Sequence, residues 1–411
     1  MATPGFLNLP GQQDELRASL ERLGLSELTR RPVLGGENAE RPWATLEPSE
    51  FFAVVDTGFH FSERRPPPDW TPWVITSDAG TANTRLENGL GSQTGLRGAI
   101  GGTFPFLDIC GTNVFLPTPR RLLAMTDGIA GFILTEMEQS GRSLEEAVRE
   151  AQWQGIAPGN VTRHLHALAA RERLALLASA VFGINLTAER ILAEGFGQLE
   201  ARDVAIARSL GYAVRLVGAV EAHEDAFEAW VRPCLLPSRY VLAQVRGGSE
   251  AAYMQGADGS SQIFVGPGTS FEVSLRGMLR DYQQLREKGT LGAAPFATCA
   301  LIPSHRQVSG CYLRLRLVNP MATLAQVTKV FAEAGVEIRY IVQPDPEIVS
   351  QETAPGNIAC KRISQVPQTT GNEELVLFTA PIEDGILHGA IEQIRVEVKL
   401  AAVKCCLRYE S

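Results

Sequence analysis

His164 and His166 stand as an H-x-H pair, and such a pair can ligate zinc. No cluster of carboxylates or cysteines accompanies it, so the better reading is a polar pocket edge or surface. His166 could also serve as a general base. The seven cysteines are Cys110, Cys234, Cys299, Cys311, Cys360, Cys405 and Cys406. They are odd in number and scattered, with no Cys-x-x-Cys, which points to reduced thiols and a cytoplasmic location. Cys405 and Cys406 would face opposite sides of a strand, so they are poor joint ligands. No metal site is expected. Lysine is the scarcest chemical resource. Of 38 basic residues only Lys288, Lys329, Lys361, Lys399 and Lys404 are lysines. Chemistry that needs a lysine to carry a proton has no candidate before residue 288.

The elements that would position these groups follow from pattern. A chain of 411 residues has room for two or three domains. Hydrophobic residues make up 45% and charged residues 20%, as in ordinary globular proteins. The net charge of -8 argues against a nucleic-acid or anionic-membrane surface. No run approaches the ~18 apolar residues of a membrane span. The N-terminus lacks the basic flank and apolar core of a secretory signal. Residues 5–24 read strand, turn, helix, with Leu16, Leu20 and Leu23 on one helical face. PVLGG, FFAVVDTG and WVITS read as strands, and strands alternating with helices suggest a parallel sheet. The Gly-rich stretch 83–105 reads as a tight loop with close backbone approach. From 119 the chain turns helical: a helix ends at Gly141, Ser143 and Glu146 form a capping box, and an Ala/Leu-rich helix ends at Gly183. Strand patterns follow at 212–222, FEAWVRPCLL, YVLAQV, AAYMQG and SQIFVG, then a helix at 270–288. A linker near 290–310 precedes a β-α-β-β-α-β series, the ferredoxin-like order. That series resembles an ACT domain.

Four central segments carry a further resemblance: GFILTEMEQSGRSLEEAVREAQWQG, LALLASAVFGINLT, DVAIARSLGYAVRLVGAVE and VRPCLLP. Together, in this order and spacing, they resemble homoserine dehydrogenase over about three quarters of the chain. The resemblance implies interconversion of aspartate semialdehyde and homoserine with a nicotinamide cofactor. Such a cofactor needs a Gly-x-Gly-x-x-Gly turn at a helix N-terminus. At the matching positions stand Asn8, Pro10 and Gln13, followed by Asp14 and Glu15. Pro10 lacks an N–H, and the two acids suit a helix start while opposing a phosphate. The family's lysine at a strand end falls at Ala79, beside Asp78, with Thr76 and Ser77 able to bond a ligand. GAIGGTFP matches a loop near a monovalent cation, with the ligating glutamate replaced by Arg97. An Asn-Gly-Thr-Thr-Asn-Tyr stretch corresponds to DGIAGF, beginning at Asp127. On the substrate helix the family's Asp and Lys correspond to Ala169 and Arg173, and a pocket glutamate to His166. An arginine keeps the charge but cannot give up a proton near neutral pH. Arg173 therefore reads either as a carboxylate anchor or as a surface or interface cation. In the ACT-like part, Asn319 and Ala322 stand where the effector turn usually carries Asp and Gly.

The expected fold is α/β plus α+β. Residues 1–82, with 269–290 returning, form a shortened, degenerate Rossmann-like nucleotide-binding domain. Residues 83–268 form an α+β homoserine dehydrogenase-type substrate and dimerisation domain, and 308–411 a ferredoxin-like ACT regulatory domain. Pocket candidates are Arg173, His166, His164 and Asp127. Candidates for cofactor contact are Thr76, Ser77, Gly266 and Gly268. The expected function is a homoserine dehydrogenase-like protein of aspartate-family metabolism, without the usual NAD(P)-dependent chemistry, acting as a regulatory or scaffold homologue. One alternative is an active homoserine dehydrogenase using NAD(P), whose machinery lies elsewhere. Another is a different enzyme of amino-acid derivatives on the same scaffold. Expected partners are further copies of the chain (dimer or tetramer), an amino-acid ligand and a full-length homologue, with neither nucleic acid nor membrane.

Overall fold

The computed structural model describes residues 4–7, 17–18, 21–22, 33–34, 53–56, 73–76, 79–87, 93–100, 118–268, 271–289, 291, 296–317, 320–344, 373–398 and 401–409. The chain forms two compact units, each assembled from three stretches. One comprises Met1–Thr126, Ala169–Ile191 and Glu250–Cys299; the other Asp127–Leu168, Leu192–Ser249 and Ala300–Ser411. Among the described residues no helix is long and apolar enough to cross a membrane.

The first unit holds a five-stranded parallel sheet. Its order is Val33–Leu34, Pro4–Leu7, Ala53–Asp56, Trp73–Thr76, Thr94–Gly95. Unbroken apolar runs such as AVV and WVI suit strands covered on both faces, and Ile75 is fully buried. Arg17, Ala18, Glu21 and Arg22 are helical and exposed, while the leucines at 16, 20 and 23 lie outside the described residues. The Gly-rich stretch departs from expectation. Ala79–Glu87 is a helix, because no glycine interrupts residues 81–88. Its Asn83 amide donates to Ala79 O at 2.8 Å and to Glu172 O at 2.9 Å. The helix Phe271–Lys288 belongs to this unit and comes very close to Gly95. A Cβ on Gly95 would meet Asp281 Oδ2 at 2.7 Å, so only glycine admits this packing. The strands Pro119–Met125, Ser249–Gly256 and Ser261–Pro267 lie side by side, the first two antiparallel with Ala251 opposite Met125. The unit extends beyond the expected 1–82 because these strands and the Ala/Leu-rich helix Leu168–Phe182 pack with it.

The second unit is built on a continuous sheet. Its strands run in the order Tyr212–Ala222, Phe227–Pro237, Ala401–Tyr409, Val308–Leu317, Glu373–Thr379, Ile338–Val342. The first two pair antiparallel along their whole length, from Ala222 opposite Phe227 to Tyr212 opposite Pro237. The last four follow the β-α-β-β-α-β order and pair antiparallel, with the helices Pro320–Glu333 and Asp384–Glu397 on one face. Leu313, Leu315, Val327, Phe331, Leu377 and Ile391 form the core beneath those helices. The sequence sets 308–411 apart as a small separate domain, whereas its sheet continues into the preceding hairpin. Cys234 pairs in parallel with Arg408 and Leu235 with Tyr409. YVLAQV also departs from expectation: Leu242–Gln244 is a 3-10 turn, not a strand.

Arginines hold this unit together from inside. Arg215, Arg232 and Arg314 are its largest fully buried side chains. Arg215 donates to Val245 O, Ala243 O and Glu138 Oε2 at 3.1, 2.7 and 2.5 Å. Arg232 pairs with Asp384 at 2.9 Å and stacks 4.0 Å from the Trp230 ring centroid. Arg314 meets Asp203 at 2.6 Å, Glu200 at 2.7 Å and Glu374 at 3.0 Å. Burial alone would lower its pKa, but Asp203, Glu200 and Glu374 carry it above the usual arginine value.

Candidate functional site

In the second unit Asp127 is the N-cap of the helix Gly128–Ser140. Its Oδ1 accepts from Ile129 N at 3.1 Å and Ala130 N at 3.2 Å. Two orphan helix N–H groups are satisfied, and the helix dipole favours the carboxylate. The same carboxylate faces His164, whose Nδ1 lies 3.0 Å from Oδ1 and 2.8 Å from Oδ2. Asp127 is buried and the His164 side chain is 12% exposed. With Nδ1–H donating to the acid, Nε2 keeps the lone pair, the arrangement of an oriented general base. His164 sits on the short helix Thr162–Leu165, which ends as Ala167 takes φ 60. That left-handed turn is clamped by Phe196 N donating to Leu165 O at 2.9 Å. His166 falls in the turn and is exposed. The H-x-H spacing therefore does not bring the two imidazoles to one task. Among the described residues no group of three or more His, Cys, Asp or Glu side chains could hold a metal ion.

In the first unit Arg173 lies on the helix Leu168–Phe182. Its Nη1 donates to Thr126 O at 2.8 Å and lies 3.6 Å from Glu250 Oε1. Ala169, one turn earlier, is buried. The arrangement is a half-buried guanidinium against a buried acid, suited to holding an anionic group and unsuited to proton transfer. Ala79 is buried at the start of its helix. Arg97 is closed upon Asp281: its backbone N donates to Oδ2 at 2.9 Å, its Nη1 to Oδ1, and its Nη2 to Gln284 Oε1 at 2.8 Å. Nearby Arg85 is buried against Thr94 Oγ1 at 2.9 Å, and desolvation pulls its pKa down to about 10. Thr76 ends the strand Trp73–Thr76, Gly266 lies within Ser261–Pro267 and Gly268 follows that strand. Ser77, Asn8, Pro10, Gln13, Asp78 and Asn319 lie outside the described residues. Glu250 and Asp281 escaped the sequence reading. The available signal was one acid among small and apolar residues in SEAAYMQG, and one acid on the inner face of a helix.

The stretch that carries Asp127, His164, Arg173, Glu250 and Asp281 matches a family model. Residues 118–282 fit the model described as homoserine dehydrogenase. The resemblance of this stretch is to homoserine dehydrogenases. A homoserine dehydrogenase of Pseudomonas aeruginosa is 28% identical over 61% of this chain and 60% of its own length. One of Bacillus subtilis is 26% identical over 60% of this chain and 58% of its own. The matched segment thus spans about 60% of these relatives. Among solved structures, a homoserine dehydrogenase from Thiobacillus denitrificans superposes with a TM-score of 0.77 at 22% identity, covering 99% of this chain and 98% of that one. A Staphylococcus aureus homoserine dehydrogenase gives 0.64 at 14% identity, covering 99% of each. A hyperthermophilic archaeal homoserine dehydrogenase mutant, solved in complex with NADPH, gives 0.52 at 18% identity, over 70% of this chain and 98% of that one. At these identities the homoserine dehydrogenase structures speak to the mixed α/β fold.

Proposed function

We propose that this chain is a homoserine dehydrogenase-like protein of aspartate-family amino-acid metabolism that has lost NAD(P)-dependent hydride transfer. It serves as a regulatory or scaffold homologue. The observation that carries this reading is Arg173. It stands at the position of the family's proton-carrying lysine, bound to Thr126 O and facing Glu250, with Ala169 in place of the acid one turn before. The first lysine position holds buried Ala79. Residues at the phosphate turn, with Pro10 lacking an N–H, and at the lysine positions do not fit a nicotinamide cofactor in the family's manner. No step is routed through one. The β-α-β-β-α-β order of the C-terminal part supports an ACT-like regulatory role. Ala322 is exposed in the first turn of its helix, so an amino-acid carboxylate would have to bind without the usual glycine approach. Homo-oligomer formation and pairing with a full-length homologue belong to the same reading.

The test is to titrate the purified protein with NADPH and NADP by fluorescence and assay homoserine oxidation. Absence of both, with a thermal shift on L-threonine or L-methionine, supports the proposal. Micromolar cofactor binding with turnover overturns it and restores an active dehydrogenase. A second reading, a different enzyme of amino-acid derivatives, is favoured by the His164–Asp127 pair. Turnover of such a derivative that is lost in His164→Gln would support that reading over the first.

A further inference from the structure

The structure places two thiols and a guanidinium together inside the C-terminal part. Val308–Leu317 and Ala401–Tyr409 are neighbouring antiparallel strands, with Cys311 opposite Arg408 and Leu313 opposite Cys406. Cys311 and Cys406 are thus diagonal neighbours on one sheet face, where long side chains reach each other. Their Sγ atoms lie 3.2 Å apart, although 95 positions separate them in sequence. Arg408 Nη1 is 3.1 Å from Cys406 Sγ and 3.8 Å from Cys311 Sγ. Cys311 is buried and Cys406 is half-buried. We propose that Cys311 and Cys406 form a reversible redox-modification site, in which a hydroperoxide oxidises Cys406 and Cys311 closes it into a disulfide.

The chemistry balances. The Cys406 thiolate attacks one oxygen of the hydroperoxide; an S–O bond forms, the O–O bond breaks, and the leaving alkoxide or hydroxide takes up a proton. The resulting sulfenic acid is attacked by Cys311 sulfur; the S–S bond forms and the S–O bond breaks. Hydroxide leaves with the Cys311 proton as water. Two thiols lose two electrons, and the peroxide gains them. The 3.2 Å separation must close by about 1.2 Å to reach a disulfide bond, and for a diagonal pair the two strands shift together to allow it.

The surroundings divide the roles. The S–H of Cys311 donating to Cys406, helped by the Arg408 guanidinium, brings the Cys406 thiol down to about 7 against the opposing effects of burial and Glu194. The same hydrogen bond, with burial, pushes Cys311 well up. One sulfur is therefore the thiolate and the other the proton-bearing resolving thiol. Arg408 is itself fixed by Asp384 Oδ1 at 3.1 Å and lies 3.3 Å from His388 Nε2. Cys405, the adjacent residue, is pushed up by burial first and then by Asp203, and is no competitor.

The full chain is treated with stoichiometric hydrogen peroxide near neutral pH, blocked with N-ethylmaleimide, and mapped by mass spectrometry. The expected product is a 311–406 cross-linked peptide that dithiothreitol reverses. In Cys311→Ala, Cys406 should instead carry a dimedone-trapped sulfenic acid, whereas Cys405→Ser should still cross-link. The wild-type chain gives a measurement that needs no variant: iodoacetamide should alkylate Cys406 faster than Cys234, with a rate half-maximal near pH 7. A cross-link through Cys405, equal reactivity of Cys406 and Cys234, or oxidation that thiols do not reverse would each overturn the proposal.

Discussion

Arg314 shows what a single buried charge does in this protein. It faces Asp203, which is fully buried, and breaking a buried pair leaves that acid uncompensated. Arg314→Met is expected to destabilise the second unit by about 3–5 kcal/mol in urea titration. A loss under about 1 kcal/mol would mean that water reaches Asp203 and the burial argument fails. Tyr312 is the opposite case. It is fully buried, and among the described residues its hydroxyl has no hydrogen-bond partner. Tyr312→Phe removes an unsatisfied polar group, so stability should be unchanged or higher by up to about 1 kcal/mol. Burial, followed by the Asp203 charge, pushes the Tyr312 phenol well up. Stability is therefore at its full value below the unfolded pKa and declines as the unfolded chain ionises above it. Tyr312→Phe should flatten that alkaline decline, which is measured as the melting temperature against pH.

At the scale of elements, the helix Gly128–Ser140 stops at Gly141, whose φ of 66 is costly for any residue with a Cβ. Gly141→Ala should lower stability by about 1 kcal/mol. The next helix opens with Ser143 Oγ accepting from Glu146 N at 3.3 Å and Glu146 Oε2 accepting from Ser143 N at 2.9 Å. These bonds to Ser143 hold the Glu146 carboxyl below its usual range. The cap therefore contributes at neutral pH and is lost as pH falls through the depressed value. Glu146→Gln should remove that acid-side loss in helicity measured by circular dichroism. Elements of this kind were legible in the sequence, because a glycine stop, a capping box and a mostly apolar strand such as 212–222 are local signals. YVLAQV misled because its apolar alternation suits a strand, while the residues around it turn. The pairs that fix the elements were not legible. Arg215 and Glu138 lie 77 positions apart, and Arg232 and Asp384 lie 152. Nothing in charge spacing announces such a partner. Of the candidate residues, Asp127, His164 and Arg173 could be named from the sequence, whereas the acid that faces Arg173 could not.

For the molecule as a whole, the sheet of the second unit ties the C-terminal β-α-β-β-α-β part to the hairpin before it, so a ligand or an oxidant acting there has a rigid element to act upon. Replacing Asp384 tests this. It accepts from Arg232, Arg408 and Ser309 at 2.9, 3.1 and 2.8 Å. Asp384→Asn should lower the melting temperature of the unit as one transition, because its partners lie on three strands. Two separated transitions would show that the parts unfold independently.

The strand Ala401–Tyr409 lies between Phe227–Pro237 and Val308–Leu317. During synthesis, the edge of Phe227–Pro237 that it covers must wait for residues made much later. A long-range parallel pairing closes slowly and exposes an adhesive edge meanwhile. The nascent chain is therefore most prone to aggregate in the interval between those strands. A version truncated before residue 401 should accumulate in inclusion bodies, whereas the full chain should refold slowly but completely from dilute denaturant.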